Sequence, residues 1–96
     1  MLEKHDDHLT KGTYIDFRLH GFSPSGKTKV WVVQNSEDHS MLGRVLWFGR
    51  WRKYIFHPPE HADLVFEEVC LREIAQFIEE ETKAQRADAQ KRKAKA

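Results

Sequence analysis

The chain has 96 residues, of which 40% are hydrophobic and 32% are charged, and its formal net charge is +1. These values indicate one small globular domain, because a chain of this length and apolar content buries a single modest core. No apolar run approaches the roughly 20 residues that span a bilayer, and the first residues lack the apolar stretch of a signal peptide. We therefore expect a cytoplasmic protein that has no transmembrane segment.

The charge is distributed unevenly along the chain. Residues 83–96 contain six lysine or arginine residues and one aspartate. Because the whole chain is close to neutral, the residues before this segment form a mildly acidic body. A basic C-terminal segment adds attraction to an anionic partner that does not depend on the partner's sequence.

The first third of the chain predicts a flexible lead-in and then a pair of strands. Residues 1–12 are mainly polar, so we expect them to be mobile. Residues 13–20 alternate between apolar and polar side chains, which is the pattern of a half-buried strand. A turn rich in Gly, Ser and Pro at 21–26 leads to a β-branched segment at 27–34. We expect these two strands to pair antiparallel.

The densest block of aromatic and basic side chains lies at residues 42–56, which hold two of the three tryptophans, four cations and no acid. The pattern predicts strands at 42–48 and 51–57, joined by a type II′ turn at Gly49-Arg50. In this register Phe48 would pair with Trp51, and Trp47 with Arg52. One face would carry Gly43, Val45, Trp47, Arg52, Tyr54 and Phe56, and the other would carry Arg44, Leu46, Phe48, Trp51, Lys53 and Ile55. Neither face is plainly polar, so the sequence leaves open which one is buried.

The last third of the chain predicts an amphipathic helix. Pro58-Pro59 ends the preceding strand, because proline cannot donate to a strand ladder. From Phe66 onward, apolar residues recur at steps of three and four, as in a helix with one apolar side. The members of this series are Phe66, Cys70, Ile74 and Phe77. We expect this helix to pack across one face of the sheet.

These elements predict an α+β fold, an antiparallel β-meander of about four strands followed by one packed amphipathic C-terminal helix. We expect a single domain over residues 13–82. Residues 83–96 have good helix formers but no apolar side chain larger than alanine, which predicts a basic tail that is disordered or a frayed helix. One helix covers only one face of a sheet, so the other face would be left for a partner or for a second copy in a homodimer.

A fixed spacing of aromatic residues and glycine extends over much of the chain. It consists of Leu42-Gly43-x-Val45-x-Trp47-Phe48-x-x-Trp51-Arg52-x-Tyr54-x-Phe56-x-Pro58 and Val65-Phe66-x-x-x-Cys70-Leu71-x-x-Ile74-Ala75-x-Phe77-Ile78. This spacing resembles a group of small bacteriophage- and prophage-encoded proteins that have no assigned activity. The resemblance implies a bacterial cytoplasmic setting and a phage or mobile-element context. The chain differs from the group at Arg50, where proline is frequent, and in its basic tail.

Nucleic-acid binding is the first functional hypothesis. Cations that alternate with aromatic residues on a sheet are typical of surfaces that hold phosphates and stack bases. The candidate binding residues are Arg44, Trp47, Arg50, Trp51, Arg52, Lys53, Tyr54, Lys91, Arg92 and Lys93. The structural alternative is that the aromatic residues form the core, with Arg52 stacked on Trp47 as a cross-strand cation–π pair.

Protein binding is the alternative hypothesis. A phage anti-defence inhibitor, similar in role to anti-CRISPR proteins, or another interaction module would use an uncovered apolar sheet face to bind a host protein. The acidic side of the helix could also present negative charge to a basic pocket. An ordinary solvated helix face would have the same composition.

An enzymatic function is not expected. The sequence has no phosphate-binding glycine loop, no CxxC pair, and no Ser or Cys motif with a recognisable base. A weaker alternative is a metal-binding protein that uses His57 and His61, but a structural zinc site usually needs four converging ligands. We therefore predict no metal and no cofactor.

Overall fold

The computed structural model describes residues 9–60 and 63–95, and it confirms the α+β class. The strands are β1 (Leu9–Lys11), β2 (Ile15–Phe22), β3 (Lys29–Asn35), β4 (Met41–Phe48) and β5 (Lys53–His57), and the helix is α1 (Glu68–Lys95). All neighbouring strands pair antiparallel, in the order in which they follow along the chain. The sheet has five strands rather than about four, because residues 9–11 of the expected lead-in pair with β2. Residues 1–8 lie outside the described part of the chain.

The core lies between α1 and one side of the sheet, which we call the helix face. Alternate residues of every long strand point to this face, as the two-residue period of a strand requires. Those that are buried are Ile15, Phe17, Trp31, Val33, Val45 and Tyr54, and α1 contributes Ile74 and Phe77. The ring of Phe77 stacks on Phe17 with centroids 4.0 Å apart and meets Trp31 edge-on at 4.9 Å. The predicted amphipathic packing of the helix is therefore confirmed.

The predicted register of the β4–β5 hairpin was wrong by two residues. Phe48 pairs with Lys53 and Trp47 with Tyr54, so the connecting turn has four residues, 49–52, instead of two. The carbonyl oxygen of Phe48 accepts the N–H groups of Trp51 (3.1 Å) and Arg52 (2.9 Å). Arg52 closes the turn in the left-handed region at φ 57°, which few residues other than glycine adopt. No turn signal in the sequence marks that position.

A shift of two residues leaves every strand side chain on the face that was predicted for it. The structure shows which of the two predicted faces of the hairpin is buried. Trp47 and Tyr54 lie on the helix face, whereas Phe48 lies on the opposite side, which we call the open face. The turn carries Trp51 and Arg52 outside the ladder.

Residues 83–95, for which the sequence predicts a disordered tail or a frayed helix, continue α1 without a break to Lys95. Two polar contacts tie this half of α1 to the β4–β5 hairpin. Thr82 Oγ1 accepts the N–H of Tyr54 at 3.1 Å, and the guanidinium of Arg86 donates to the carbonyl oxygen of Arg52. The Tyr54 N–H belongs to an edge strand and the Arg52 carbonyl to the turn before it, so neither is bonded within the sheet. Among the described residues no helix is long and apolar enough to cross a membrane.

The first half of α1 is fastened to the opposite edge of the sheet. Both carboxylate oxygens of Glu73 accept the N–H of Thr13, at 3.0 and 2.9 Å, in the connection between β1 and β2. A side chain at Gly12 would come within 2.5 Å of the same carboxylate, so the chain is tightly apposed to the helix there. Contacts at both sheet edges fix the direction in which α1 crosses the sheet, and this direction positions the basic half of the helix.

Candidate anion-binding cleft

A cleft of about 800 Å³ lies between the second half of α1, the β2–β3 connection and the β4–β5 hairpin. Three segments that are distant in sequence therefore form its walls. The lining residues are Ser23, Pro24, Ser25, Lys27, Thr28, Trp47, Arg52, Gln85, Arg86, Ala89, Arg92 and Lys93. We call this space the basic cleft.

Five of the lining side chains are cations, and none is an acid. The cations are Lys27, Arg52, Arg86, Arg92 and Lys93. All five are exposed, so their charged groups can reach a bound ligand. Cations gathered in a concave surface raise the local positive potential and concentrate anions. The nearest carboxylate on the helix is Asp88, which pairs with Arg92 at 3.0 Å while both side chains stay more than half exposed. An exposed pair of this kind is weak and leaves the guanidinium accessible.

The β2–β3 connection holds Lys27 at the rim of the basic cleft. Its sequence Ser23-Pro-Ser-Gly26 forms a compact turn, in which the N–H of Gly26 donates to the carbonyl of Ser23 at 2.8 Å. Gly26 has φ 76°, a conformation that glycine adopts without strain. The hydroxyl of Ser23 also accepts the N–H of Thr28 at 3.3 Å, and the hydroxyl of Ser25 accepts that of Lys27 at 3.3 Å. These local bonds give the lysine a defined backbone position opposite the helix.

Trp47 forms the aromatic part of the cleft wall. Its side chain is partly buried and meets the ring of Tyr54 edge-on, with centroids 5.1 Å apart. Tyr54 is only 1% exposed, and its hydroxyl accepts the N–H of Lys29 at 3.0 Å. Burial raises the pKa of the Tyr54 hydroxyl. The tyrosine was predicted as a binding residue, but its ring is enclosed in the core and offers no face to a ligand.

The structure divides the remaining predicted site residues into four groups. Arg52, Arg92 and Lys93 line the basic cleft together with Trp47. Lys91 lies beside it, in a neighbouring depression that also contains Glu81 and so has mixed charge. The residues outside these two depressions are Arg44 on the open face and Arg50 and Trp51 in the hairpin turn. Lys53, at the β5 edge, lines a separate depression beside α1 with Ile78, Thr82 and Arg86.

Lys27 and Arg86 are cleft residues that the sequence analysis did not identify. Lys27 follows a polar turn, where a single lysine is common, so no sequence signal marked it as a binding residue. Arg86 lies in the segment that was predicted to be disordered or a frayed helix, where its side chain hydrogen-bonds a main-chain carbonyl. The concentration of cations in 83–96 was the one available signal for Arg86, and it gave no indication of which residue would contact the hairpin.

The open face is the second surface that the fold leaves accessible. Val32, Leu46 and Ile55 are partly buried there without a covering element from the described residues. At the hairpin end of this face, Trp51 is 61% exposed and meets Phe48 with centroids 4.9 Å apart and an interplanar angle of 79°. The aromatic pair therefore lies on the other side of the hairpin from Trp47.

Comparison of the chain with protein-family models, curated proteins and solved structures gave no match. Within residues 9–60 and 63–95, no three His, Cys, Asp or Glu side chains form a group that could hold a metal ion. His61 lies outside the described residues, so the alternative metal site with His57 stays a prediction from sequence.

Proposed function

We propose that the protein is a non-enzymatic nucleic-acid-binding protein that holds the phosphate backbone in the basic cleft. The observation that carries this proposal is the convergence of five cations, and no acid, from three separate segments on one concave surface. Phosphate groups are the anions that nucleic acids present at regular intervals, and contacts of lysine and arginine to them supply most of the sequence-independent affinity.

Two features suit a phosphate ligand. The cleft contains three arginines, whose planar guanidinium groups bind phosphate oxygens in pairs. It also contains hydroxyl groups from Ser23 and Ser25, which are common phosphate donors in nucleic-acid complexes. The hairpin and the basic helix end, each suggested by the sequence as a binding element, thus contribute to the same surface.

The biological setting is a proposal that rests on the resemblance alone. The spacing of aromatic residues in the hairpin is similar to that of phage- and prophage-encoded proteins, which supports an accessory role in the cytoplasm of a bacterial host. Nucleic acid is abundant in that setting, and its phosphate groups are opposite in charge to the basic cleft.

Fluorescence anisotropy with a labelled oligonucleotide tests the proposal. The test variant is Lys27→Ala/Lys93→Ala, which removes two cleft cations whose side chains hydrogen-bond to no other described residue. Its matched control is Lys11→Ala/Arg72→Ala, which removes the same charge from the β1 edge and from the first half of the helix. We expect the cleft variant to bind more weakly and to lower the slope of log K against log salt by up to about 1.4, or about 0.7 for each lost single-strand phosphate contact.

Two outcomes would contradict the proposal. In the first, the wild-type protein binds neither single-stranded nor double-stranded DNA or RNA at low salt. In the second, the cleft and control variants lose affinity equally, which would mean that net charge matters and the cleft does not. Circular dichroism of both variants establishes that the comparison is made between folded proteins.

A protein partner is the second candidate function, and the open face favours it. Trp51 is 61% exposed, and apolar side chains of β3, β4 and β5 have no covering element there among residues 9–60 and 63–95. Exposed aromatic residues of this kind are enriched in protein interfaces. A pull-down from lysate with and without nuclease treatment separates the two functions, since a captured host protein that survives nuclease treatment supports direct protein binding.

A further inference from the structure

We propose that the bound nucleic acid continues from the basic cleft along α1, past Arg86, into a second depression that contains Lys53 and Lys83. This inference rests on the proposed function and enlarges its site, and the ligand it specifies is a strand of several nucleotides rather than a single phosphate group. We call the set Lys53, Lys83, Arg86 and Lys93, which joins the two depressions, the basic track.

The second depression carries the same sign of charge as the basic cleft. Lys53, Lys83 and Arg86 line it, and its one lining acid is Glu79. The three cations are exposed, so their charged groups are accessible from solvent. Arg86 also lines the basic cleft, so the two depressions meet at this side chain. A strand that leaves the cleft past Arg86 therefore stays on a positively charged surface.

Two hydrogen bonds hold Lys53 beside the helix. The side chain of Thr82 accepts the N–H of the residue after Lys53, at 3.1 Å. The guanidinium of Arg86 donates to the carbonyl oxygen of the residue before Lys53, at 3.2 and 2.7 Å. The main chain on both sides of Lys53 is thus fastened to the turn of α1 that carries Lys83 and Arg86, and this folded contact brings the three cations together.

The cations of α1 form one row that leads into the basic cleft. Lys83, Arg86 and Lys93 are separated by three and seven residues, and residues at these spacings share a side of a helix. The uncharged Gln90 belongs to the same row, whereas Asp88 is two residues beyond Arg86 and points elsewhere. Ten residues of helix rise about 15 Å. Since successive phosphates of a strand advance about 3.4 Å along a duplex axis, the row is long enough for roughly four of them.

Carboxylates mark the end of the track. The next depression along the helix also contains Lys83, but it includes Glu79 and Glu80. Both acids are exposed and repel phosphate groups. Arg72 lies beyond them in the same depression, outside the proposed path.

The test measures the salt dependence of binding to a labelled single-stranded thymidine oligonucleotide of about 20 nucleotides, which exceeds the roughly 4–16 nucleotides that one small domain covers. Lys53→Ala/Lys83→Ala removes two track cations that do not line the basic cleft. We expect weaker binding and a slope of log K against log salt that is lower by up to about 1.4, or about 0.7 for each lost phosphate contact. Combining this change with Lys27→Ala/Lys93→Ala should lower the slope further, by a similar amount.

Two further variants separate the position of the charge from its amount. Lys53→Arg/Lys83→Arg keeps the charge in place and should bind as the wild type does. Lys11→Ala/Arg72→Ala removes the same charge from outside both depressions and should have a smaller effect than Lys53→Ala/Lys83→Ala. Circular dichroism of each variant verifies that it is folded.

The possible results separate this inference from the proposed function. If Lys53→Ala/Lys83→Ala binds as its control does while Lys27→Ala/Lys93→Ala is weakened, the track is overturned and the cleft remains as the site. Thymidine 5′-monophosphate that competes at the oligonucleotide's own affinity also overturns the track, because a single phosphate would then be sufficient. If the cleft variant binds as its control does, or if no oligonucleotide binds at low salt, both proposals fail.

Discussion

The guanidinium of Arg86 donates two hydrogen bonds to the main-chain carbonyl oxygen of Arg52, at 3.2 Å from Nε and 2.7 Å from Nη2. Two residues of the same charge are thereby brought together, because the contact uses the backbone of one and the side chain of the other. The carbonyl belongs to the last residue of an exposed four-residue turn and has no partner in the strand ladder. This contact joins the basic half of α1 to the hairpin and so forms one wall of the cleft.

The first prediction concerns this contact. Arg86→Ala should lower the free energy of unfolding by about 1 kcal/mol, since a charge-assisted bond at an exposed site contributes near the lower end of the usual range. Arg86→Lys should recover only part of this loss, because lysine cannot donate from two nitrogens of one planar group. Urea denaturation monitored by circular dichroism measures the free energy, and amide hydrogen exchange should show faster opening after Thr82.

The control for this prediction is Arg72→Ala. Arg72 is an exposed arginine of the same helix that lies outside the basic cleft, and its removal should change the free energy of unfolding by less than about 0.5 kcal/mol. If Arg86→Ala and Arg72→Ala have the same effect on stability and on exchange, the bond to Arg52 does not anchor the helix.

The second half of α1, beyond residue 82, is held by polar contacts that hydrophobic periodicity cannot predict. Periodicity correctly predicted the packed half of the helix, where Ile74 and Phe77 meet the sheet. The second half is held by Thr82 and Arg86, which bond single backbone groups of the β4–β5 hairpin. A polar contact of this kind depends on the relative position of two distant segments, so it leaves no periodic pattern in the sequence.

The hairpin shows the opposite case, in which an incorrect register still gave the correct faces. The sequence predicted a two-residue turn, whereas the structure has a four-residue turn that ends at Arg52 with φ 57°. Because the error was an even number of residues, Trp47 and Tyr54 stayed on one face and Phe48 on the other. The sequence could not decide which face was buried, since both carry large apolar side chains, and the packing of α1 decides it.

The helix face also accounts for the fixed spacing of aromatic residues and glycine in the hairpin. Five residues of that spacing in β4 and β5 point toward α1 or its flanking loop, at alternate positions of paired strands. They are Gly43, Val45, Trp47, Tyr54 and Phe56. A fixed spacing of this kind is required by core packing whatever the function, so it indicates a fold more directly than a binding site.

The second prediction follows from the glycine in this set. Gly43 has φ 156°, and a Cβ placed there would lie 2.5 Å from Cζ of Phe56 and 2.8 Å from the carbonyl oxygen of His57. Gly43→Ala should therefore cost at least about 2 kcal/mol, because a backbone atom and a packed ring must both move. Urea denaturation gives the free energy of unfolding.

Gly21→Ala is the matched control for Gly43→Ala. Gly21 also lies in a strand, but a Cβ at that position meets no atom within 4 Å. We expect its effect to stay within about 0.5 kcal/mol. Equal losses in the two variants would show that the general cost of replacing a strand glycine, and not the contact with Phe56, determines the result.

The third prediction is a pH dependence at Glu81. Burial raises the pKa of this carboxyl group, the ammonium of Lys29 lowers it, and the negative charge of Glu80 raises it further, so that the net shift is upward. A raised pKa means that the folded state favours the protonated form. The contribution of Glu81 to stability is thus fully present below the ordinary glutamate pKa of 4.5 and is lost as the pH rises through the folded-state value.

Glu81→Gln keeps the side chain neutral at every pH and should therefore be more stable than the wild type near pH 7. The gain should shrink as the pH falls to about 4, where the wild-type carboxyl group is itself becoming protonated. Urea denaturation of both proteins at the two pH values measures the difference, and Glu79→Gln, at an exposed position of the same helix, should show no such gain. If Glu81→Gln is less stable than the wild type at neutral pH, the attraction between the carboxylate and Lys29 outweighs the cost of burial, and Glu81 acts as an ion-pair partner of β3.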